Sequence, residues 1–116
     1  YGDGEQRRCF AHVRDVVEAT IRLLGLPSAV GEVFNIGNDR EVTIRQLAEA
    51  VKTATGSASD IVQIPYEEAY MAGFEDMRRR VPSLEKLEAA IGFRPNISLD
   101  VIIKDVVADL RSRAVA

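Results

Sequence analysis

Several features that mark common classes of site are missing from this chain of 116 residues. Its one cysteine, Cys9, excludes an internal disulfide and a multi-cysteine metal site, and is compatible with a reducing cytosol. No apolar run approaches the roughly 20 residues that are needed to span a bilayer, and no signal-peptide pattern opens the chain. We therefore expect a cytoplasmic protein that makes no membrane contact.

The motifs of many catalytic and nucleotide-binding sites are also missing. The sequence contains no G-x-G-x-x-G fingerprint, no P-loop and no cluster of metal-ligand residues. A Cys–His pair would have to use Cys9 and His12, which fall on opposite faces of the first predicted strand. We expect His12 to be a packed or partly exposed strand residue and Cys9 to be a small buried apolar group.

The charge balance is slightly acidic, with 15 Lys and Arg against 18 Asp and Glu and a net charge of −3. Broad nucleic-acid binding depends on many Lys and Arg contacts with phosphate, so we expect no nucleic-acid partner. Hydrophobic residues make up 47% and charged residues 28%, which is the composition of a globular protein. The length fits one domain over residues 1–116.

Apolar periodicity and turn signals predict a mixed α/β chain of the order β-α-β-α-β-(loop)-α-α. Residues 66–77 could form a helical turn or a loop. So few short strands make a thin sheet for a self-contained doubly wound domain, and we expect an apolar face to remain for a partner domain. The predicted strands are 7–13, 32–37 and 61–64, and the predicted helices are 14–25, 43–56, 82–91 and the segment after Ser98.

Capping signals make the helix after Thr43 the best-defined predicted element. Thr43 and Gln46 have the form of a capping box, in which the threonine oxygen accepts from the third helical N–H and the glutamine reaches back. Gly56 ends this helix. Its apolar stripe is expected to be buried, and consists of Ile44, Leu47, Ala48 and Val51.

The arginines are the candidate ligand-binding residues. Arg7 and Arg8 face opposite ways on the first predicted strand, and Arg78–Arg80 lie in an extended segment ahead of Pro82. Three adjacent arginines are either a solvated charge run or a phosphate clamp. Guanidinium groups bind phosphate bidentately, so two arginines from different elements could straddle a diphosphate. The residues alone leave both interpretations open.

Asn35 stands among the apolar residues of the second predicted strand, where Val or Ile is more usual. A buried amide needs hydrogen-bond partners. One interpretation makes Asn35 a turn residue that is satisfied by the backbone, because Gly37 follows closely. The other makes it a donor that faces a ligand.

Five short motifs follow one another along the chain. They are Gly2-Asp3-Gly4 with Gln6, Arg8, Phe10, Val13 and Asp15; Phe34-Asn35-Ile36-Gly37; Ile44-Arg45-Gln46-Leu47-Ala48; Arg79-Arg80-Val81-Pro82-Ser83-Leu84 with Lys86 and Ile91-Gly92-Phe93-Arg94-Pro95; and Ile97-Ser98-Leu99. In this order they resemble the C-terminal, substrate-binding part of the extended short-chain dehydrogenase/reductase family. Its members are nucleotide-sugar epimerases, 4,6-dehydratases and UDP-glucuronate decarboxylases.

The resemblance implies an α/β fold: a small mixed α/β substrate-binding domain with short strands and about four helices, which is a fragment of a Rossmann-based enzyme. In the family, the arginines at the positions of Arg8 and Arg80 grip the diphosphate of a nucleotide sugar. The asparagine at the position of Asn35 lines the same pocket, and Arg79 is the alternative to Arg80. Ser83 replaces an aspartate that can contact ribose hydroxyls, which leaves the identity of the nucleotide open.

The resemblance also shows which parts of such an enzyme are absent. The family's hydride chemistry uses a Tyr-x-x-x-Lys pair, and no tyrosine of this chain has a lysine at the fourth following place. We therefore expect this chain to bind no cofactor alone, and NAD or NADP to act in the full-length protein. The start at Tyr1 rather than Met fits a piece whose N-terminal Rossmann domain lies elsewhere, and a homodimer is a further expectation.

The favoured hypothesis is the substrate-binding portion of an NAD(P)-dependent nucleotide-sugar epimerase, dehydratase or decarboxylase that grips the diphosphate. The alternative is a non-catalytic regulator or scaffold of the same fold that reads a nucleotide without turning it over. A third hypothesis is a free-standing interaction domain that uses Arg78–Arg80 on an acidic partner.

Overall fold

A computed structural model describes residues 1–69 and 76–114. This part of the chain has two short strands, five α-helices and one 3₁₀ turn, which confirms the predicted mixed α/β class. The sequence allows either a helical turn or a loop for residues 66–77, and of these, residues 70–75 lie outside the described residues. The elements are β1 (Arg7–Cys9), α1 (Val13–Leu24), the 3₁₀ turn (Pro27–Ala29), β2 (Glu41–Thr43), α2 (Ile44–Thr55), α3 (Tyr66–Ala69), α4 (Glu85–Ile91) and α5 (Leu99–Ala114).

The chain forms two compact units, each built from segments that are distant in sequence. The first unit consists of Tyr1–Arg8, Glu41–Arg80 and Ile103–Ala116. The second unit consists of Cys9–Arg40 and Val81–Ile102. That the whole chain acts as one nucleotide-sugar-binding domain stays a prediction.

In the second unit, α1 packs against α4, and the core is small. Ala19 of α1 is fully buried, and so are Leu84 at the N-cap of α4 and Leu87 within that helix. Another face of α1 is apolar and exposed, and Ile21, for example, is 59% accessible. The exposed apolar residues of α1 are Val13, Val17, Ile21 and Leu24.

A buried carboxylate fixes the start of α1. Asp15 lies in the first helical turn, and its Oδ2 accepts the backbone N–H groups of Asn96 and Ile97, each at 2.9 Å. His12 is buried at the N-cap, where its Nδ1 accepts the N–H of Arg14 at 3.0 Å. The aspartate of the first motif therefore has a structural role in joining α1 to the loop before α5.

In the first unit, β1 and β2 form a two-stranded sheet, and α2 begins directly after β2. The predicted capping box is confirmed: Thr43 Oγ1 accepts the N–H of Gln46 at 3.0 Å, and Gln46 Oε1 accepts the N–H of Thr43 at 2.9 Å. Gly56 ends α2 in the left-handed conformation, at φ 67°. Ile103 of α5 is the buried apolar residue of this unit. The expectation that the stripe of α2 is buried is wrong: Ile44, Leu47 and Ala48 are half-buried, and Val51 is exposed.

Two predicted strands are wrong. Residues 32–37 belong to no ladder with any described residue, and Val33 is 82% exposed. Residues 61–64 also lack a strand, although the carbonyl of Ile64 accepts the N–H of Gly2 at 2.8 Å. A strand exists only where a second one pairs with it, so apolar residues in an extended segment do not suffice. The strand β2 carries one apolar residue, Val42, and its pattern gave no signal.

Two element boundaries also differ from prediction. The first strand ends at Cys9 rather than at residue 13, because His12 serves as the cap of α1. The helix predicted from residue 82 or 83 begins at Glu85, after Leu84 at its N-cap. Within the described residues, no helix is long and apolar enough to cross a membrane.

Candidate functional site

Arg8 is the candidate residue with the most defined surroundings. Its side chain is 22% accessible. Its Nη1 donates to the carbonyls of Arg7 at 2.7 Å and Met77 at 2.8 Å, and its Nη2 donates to Oδ1 of Asp76. A guanidinium has five N–H donors, so the Nε–H and one Nη2–H have no partner among the described residues. These two donors can serve an anion without any change in the existing bonds.

Asp76 connects Arg8 to a tyrosine. Its Oδ2 accepts the hydroxyl of Tyr66 at 3.0 Å, while its Oδ1 is bound to Arg8. The Tyr66 hydroxyl in turn accepts from Nε2 of Gln6 at 2.9 Å, and the same Nε2 donates to the carbonyl of Tyr1 at 3.1 Å. Burial raises the pKa of Tyr66, and the hydrogen bond to Asp76 raises it further. The hydroxyl therefore remains a donor to Asp76 at neutral pH.

The three arginines of the run 78–80 have different surroundings. Arg78 donates to Oδ2 of Asp3 at 2.6 Å. Arg79 donates to both carboxylate oxygens of Glu41, each at 2.8 Å. Arg80 is exposed, and its side chain has no hydrogen bond or ion pair within the described part of the chain. Of the three, Arg80 is thus the one whose charge no described carboxylate offsets.

A parallel bridge sets the register between this run and β1. Arg7 pairs with Arg79, and the N–H of Arg7 donates to the carbonyl of Arg78 at 2.8 Å. Side chains alternate between the two faces of an extended chain, so Arg8 and Arg80 project from one face and Arg7 and Arg79 from the other. Paired extended segments lie about 4.8 Å apart, which makes Arg8 and Arg80 neighbours.

The charges around Glu41 agree with this register. The hydrogen bonds from Arg79 lower the pKa of Glu41, and the charge of Arg7 lowers it as well. Both arginines therefore act on a carboxylate of the strand β2 that lies on their own side of the sheet.

Asn35 belongs to the second unit and is exposed, so the expectation of a buried amide is wrong. Its Nδ2 donates to the carbonyl of Ser83 at 3.3 Å. A backbone group thus satisfies the amide, as one of the two interpretations required, although the partner is not the turn at Gly37. That Asn35 also faces a ligand stays a prediction. Cys9 is half-buried.

Sequence reasoning missed Tyr66 and Asp76. Asp76 is 68 residues from Arg8 along the chain, and neither it nor Tyr66 stands in a motif or an apolar stripe. Gln6 did stand in the first motif, and its burial beside Tyr66 explains why a long amide is suitable there. A search for carboxylates near the arginine run would have found Asp76, without indicating its partner.

The turn from β1 to α1 does not fit a bound dinucleotide. A dinucleotide-binding turn uses glycines so that the pyrophosphate can approach the helix N-terminus. Here the turn is Phe10-Ala11-His12, the side chain of His12 already caps the helix, and Asp15 adds a carboxylate to the first turn.

Comparison with known proteins gives concordant matches. A family model described as GDP-mannose 4,6 dehydratase matches residues 1–106. A UDP-N-acetyl-alpha-D-glucosaminuronate decarboxylase of Bacillus cytotoxicus is 40% identical over 107 residues, which cover 92% of this chain and 33% of that protein.

Solved structures agree in fold. The UDP-glucose 4-epimerase of Thermotoga maritima, crystallised with UDP-glucose, matches with a TM-score of 0.83 and 31% identity over 98% of this chain and 34% of that one. The dTDP-glucose 4,6-dehydratase of Bacillus anthracis, in complex with NAD, matches with a TM-score of 0.79 and 26% identity over 97% of this chain and 33% of that one. The chain thus spans about a third of the length of these relatives.

Proposed function

The chain belongs to the GDP-mannose 4,6-dehydratase family of extended short-chain dehydrogenases/reductases, and on that premise we propose that it binds the diphosphate of a nucleotide sugar within a longer epimerase, dehydratase or decarboxylase. The observation that supports this function most is the Arg7–Arg79 bridge, because its register makes Arg8 and Arg80 neighbours on one face. Two guanidinium groups from separate segments are then available to the two phosphates.

The two arginines would contribute in different ways. Arg8 is paired with Asp76, so it adds little net charge, but it offers two N–H donors in a fixed direction. Arg80 has no described carboxylate beside it, so it supplies the positive charge that attracts the diphosphate. Arg79, the alternative to Arg80, is engaged by both oxygens of Glu41 and projects from the opposite face, which favours Arg80.

The exposed face of α1 supports the further proposal that this chain packs against a dinucleotide-binding portion. The exposed apolar side chains of α1 are Val13, Val17, Ile21 and Leu24, and four such side chains on one helix are unfavourable in water. The relatives extend over about three times the length of this chain, which leaves room for such a portion. NAD or NADP would be held there, and it would supply hydride transfer.

Calorimetric titration of UDP, dTDP and UDP-sugars into the full-length protein tests the proposed grip. We expect Arg8→Ala and Arg80→Ala each to lower UDP affinity by about 10- to 100-fold, because each removes charge-assisted hydrogen bonds. Arg113→Ala is the matched control: this arginine is exposed on α5 of the same unit, and its partner within the described residues is Asp109 one helical turn away, so its removal should leave UDP affinity unchanged. Unchanged affinity in both test variants would remove the basis for the proposal.

A non-catalytic protein of the same fold that reads a nucleotide would bind UDP in the same way. Turnover separates the two functions. The full-length protein should convert a UDP-sugar in the presence of NAD or NADP if the favoured function holds, and a protein that binds UDP without converting any UDP-sugar tested would support the alternative.

A further inference from the structure

The contacts behind Arg8 support an inference about how this arginine is held. We propose that Tyr66 and Asp76 are positioning residues, which fix the Arg8 guanidinium in the orientation from which it donates to a diphosphate. This rests on the function proposed above, because it concerns the same arginine. Neither residue is assigned a contact with the ligand itself.

The Arg8 guanidinium is held by three acceptors that come from two segments of the chain. The carbonyls of Arg7 and Met77 occupy both Nη1 protons, and Asp76 occupies one Nη2 proton. Three fixed acceptors define the plane of the guanidinium. The Nε–H and the second Nη2–H then keep one direction, and a ligand that accepts from them orders no further side chain.

Tyr66 fixes Asp76 in turn. Its hydroxyl donates to Oδ2 of Asp76 and accepts from Gln6, which is 6% accessible and bound to the carbonyl of Tyr1. The ring packs so closely on Gly2 that a Cβ at that position would lie 2.5 Å from Cε2 of the tyrosine. Asp76 therefore stands between a side chain that cannot move freely and the guanidinium that it orients.

The direction in which UDP affinity changes when Asp76 is removed distinguishes a positioning role from an effect of its charge. A carboxylate beside a diphosphate repels it, so removing Asp76 should strengthen UDP binding if charge were its main contribution. If Asp76 acts by orienting Arg8, removing it should weaken UDP binding, because the ligand must then order the guanidinium. The proposal predicts weaker binding.

UDP is titrated calorimetrically into the full-length protein and its variants. We expect Asp76→Ala to lower the affinity about tenfold and Tyr66→Phe about threefold, by the loss of one charged and one neutral hydrogen bond. Asp76→Asn retains an acceptor for Arg8 and should recover most of the tenfold loss. Glu41→Ala is the matched control, because it removes a carboxylate paired with an arginine on the opposite face, and it should leave UDP affinity unchanged.

The same substitutions are then made together with Arg8→Ala. A residue that acts through Arg8 has no further effect when Arg8 is gone, so the losses from Tyr66→Phe and Asp76→Ala should disappear. A loss that persists would mean that Asp76 contacts the ligand directly, and would overturn the positioning role, as would stronger or unchanged binding in Asp76→Ala. The melting temperature shows whether Asp76→Ala folds. If it does not, the UDP affinity of Tyr66→Phe decides whether the positioning role holds, because this variant keeps the aromatic ring. Unchanged affinity in Arg8→Ala alone would instead refute the proposed function.

Discussion

Two regions of the molecule differ in how many of their side chains find partners within the described chain. One is the apolar face of α1 in the second unit, and the other is the surroundings of Arg8 in the first unit. Along α1, the apolar side chains are exposed, while the carboxylate of Asp15 is buried and accepts two N–H groups. Around Arg8, the charged and polar groups of Asp76, Tyr66 and Gln6 bond to one another. The described chain pairs most polar groups around Arg8, leaving the buried Oε1 of Gln6 and two N–H groups of Arg8 without a described partner, whereas it leaves the apolar face of α1 exposed.

This difference indicates two kinds of contact. An apolar face of a helix gains free energy by burying area, so it suits a large surface of protein. A set of oriented donors with one uncompensated cation suits a small anion, because directed hydrogen bonds discriminate by geometry. The following variants separate the two regions by measurements on the full-length protein.

The largest effect is expected on the face of α1. If the dinucleotide-binding portion proposed above covers this face, Ile21→Asp should lower the free energy of unfolding by roughly 2 to 4 kcal/mol, because a charge would then replace a buried apolar side chain. Urea unfolding measures this. Val62→Asp is the control, since Val62 is more exposed, at 73% against 59%, and lies in the first unit. Its cost should stay within about 0.5 kcal/mol. Equal costs for both variants would show that the α1 face is not covered.

An intermediate effect is expected at Gly2, which lies beneath Tyr66. Gly2 has φ +68°, and a Cβ there would meet the Tyr66 ring, whereas a Cβ at Gly31, with φ +79°, would meet nothing within 4 Å. Both alanine variants should lose roughly 1 to 2 kcal/mol of stability from backbone strain. Only Gly2→Ala must also displace the ring and its hydroxyl, so only this variant should lower UDP affinity, about threefold.

Calorimetry on the two glycine variants decides this point. Equal UDP affinity in Gly2→Ala and Gly31→Ala would show that the position of Tyr66 does not matter for binding. Because both variants carry the same backbone strain, a difference between them cannot come from strain alone.

The helices could be predicted because their signals are local. The capping box of Thr43 and Gln46 and the left-handed glycines Gly56 and Gly92 lie within a few residues of the helix ends that they define. The strands could not, because pairing depends on which segments lie alongside. Residues 32–36 have an apolar pattern without a described partner, while Glu41–Thr43 have a partner without an apolar pattern.

The candidate site likewise has features that the sequence predicts and features that depend on long-range contacts. Arg8 and Arg80, with Arg79 as the alternative, could be selected from residue type and motif position, and the bridge between residues 7 and 79 adds support for the proposal of Arg80. The pairing of Asp76 with Arg8 could not be foreseen, because it joins residues 68 positions apart. Apolar periodicity also could not predict which face of α1 packs against the rest of the described chain and which face stays exposed.

The smallest expected effect is a change in the pKa of Glu41, which tests the register of the bridge between Arg7 and Arg79. The hydrogen bonds from Arg79 hold the pKa of Glu41 below its ordinary value. A carboxyl with a lowered pKa stabilises the folded protein above its unfolded pKa, and this contribution is lost as the pH falls through the folded pKa. Arg79 is exposed and Glu41 is half-buried, so the change in stability should be slight, and the NMR titration of the Glu41 carboxyl carbon is the sensitive measurement. Arg79→Ala should raise the pKa of Glu41, whereas Arg80→Ala should leave it unchanged because Arg80 projects from the other face. An equal rise in both variants would mean that Arg79 and Arg80 share a face, and Arg8 would then lose its neighbouring cation.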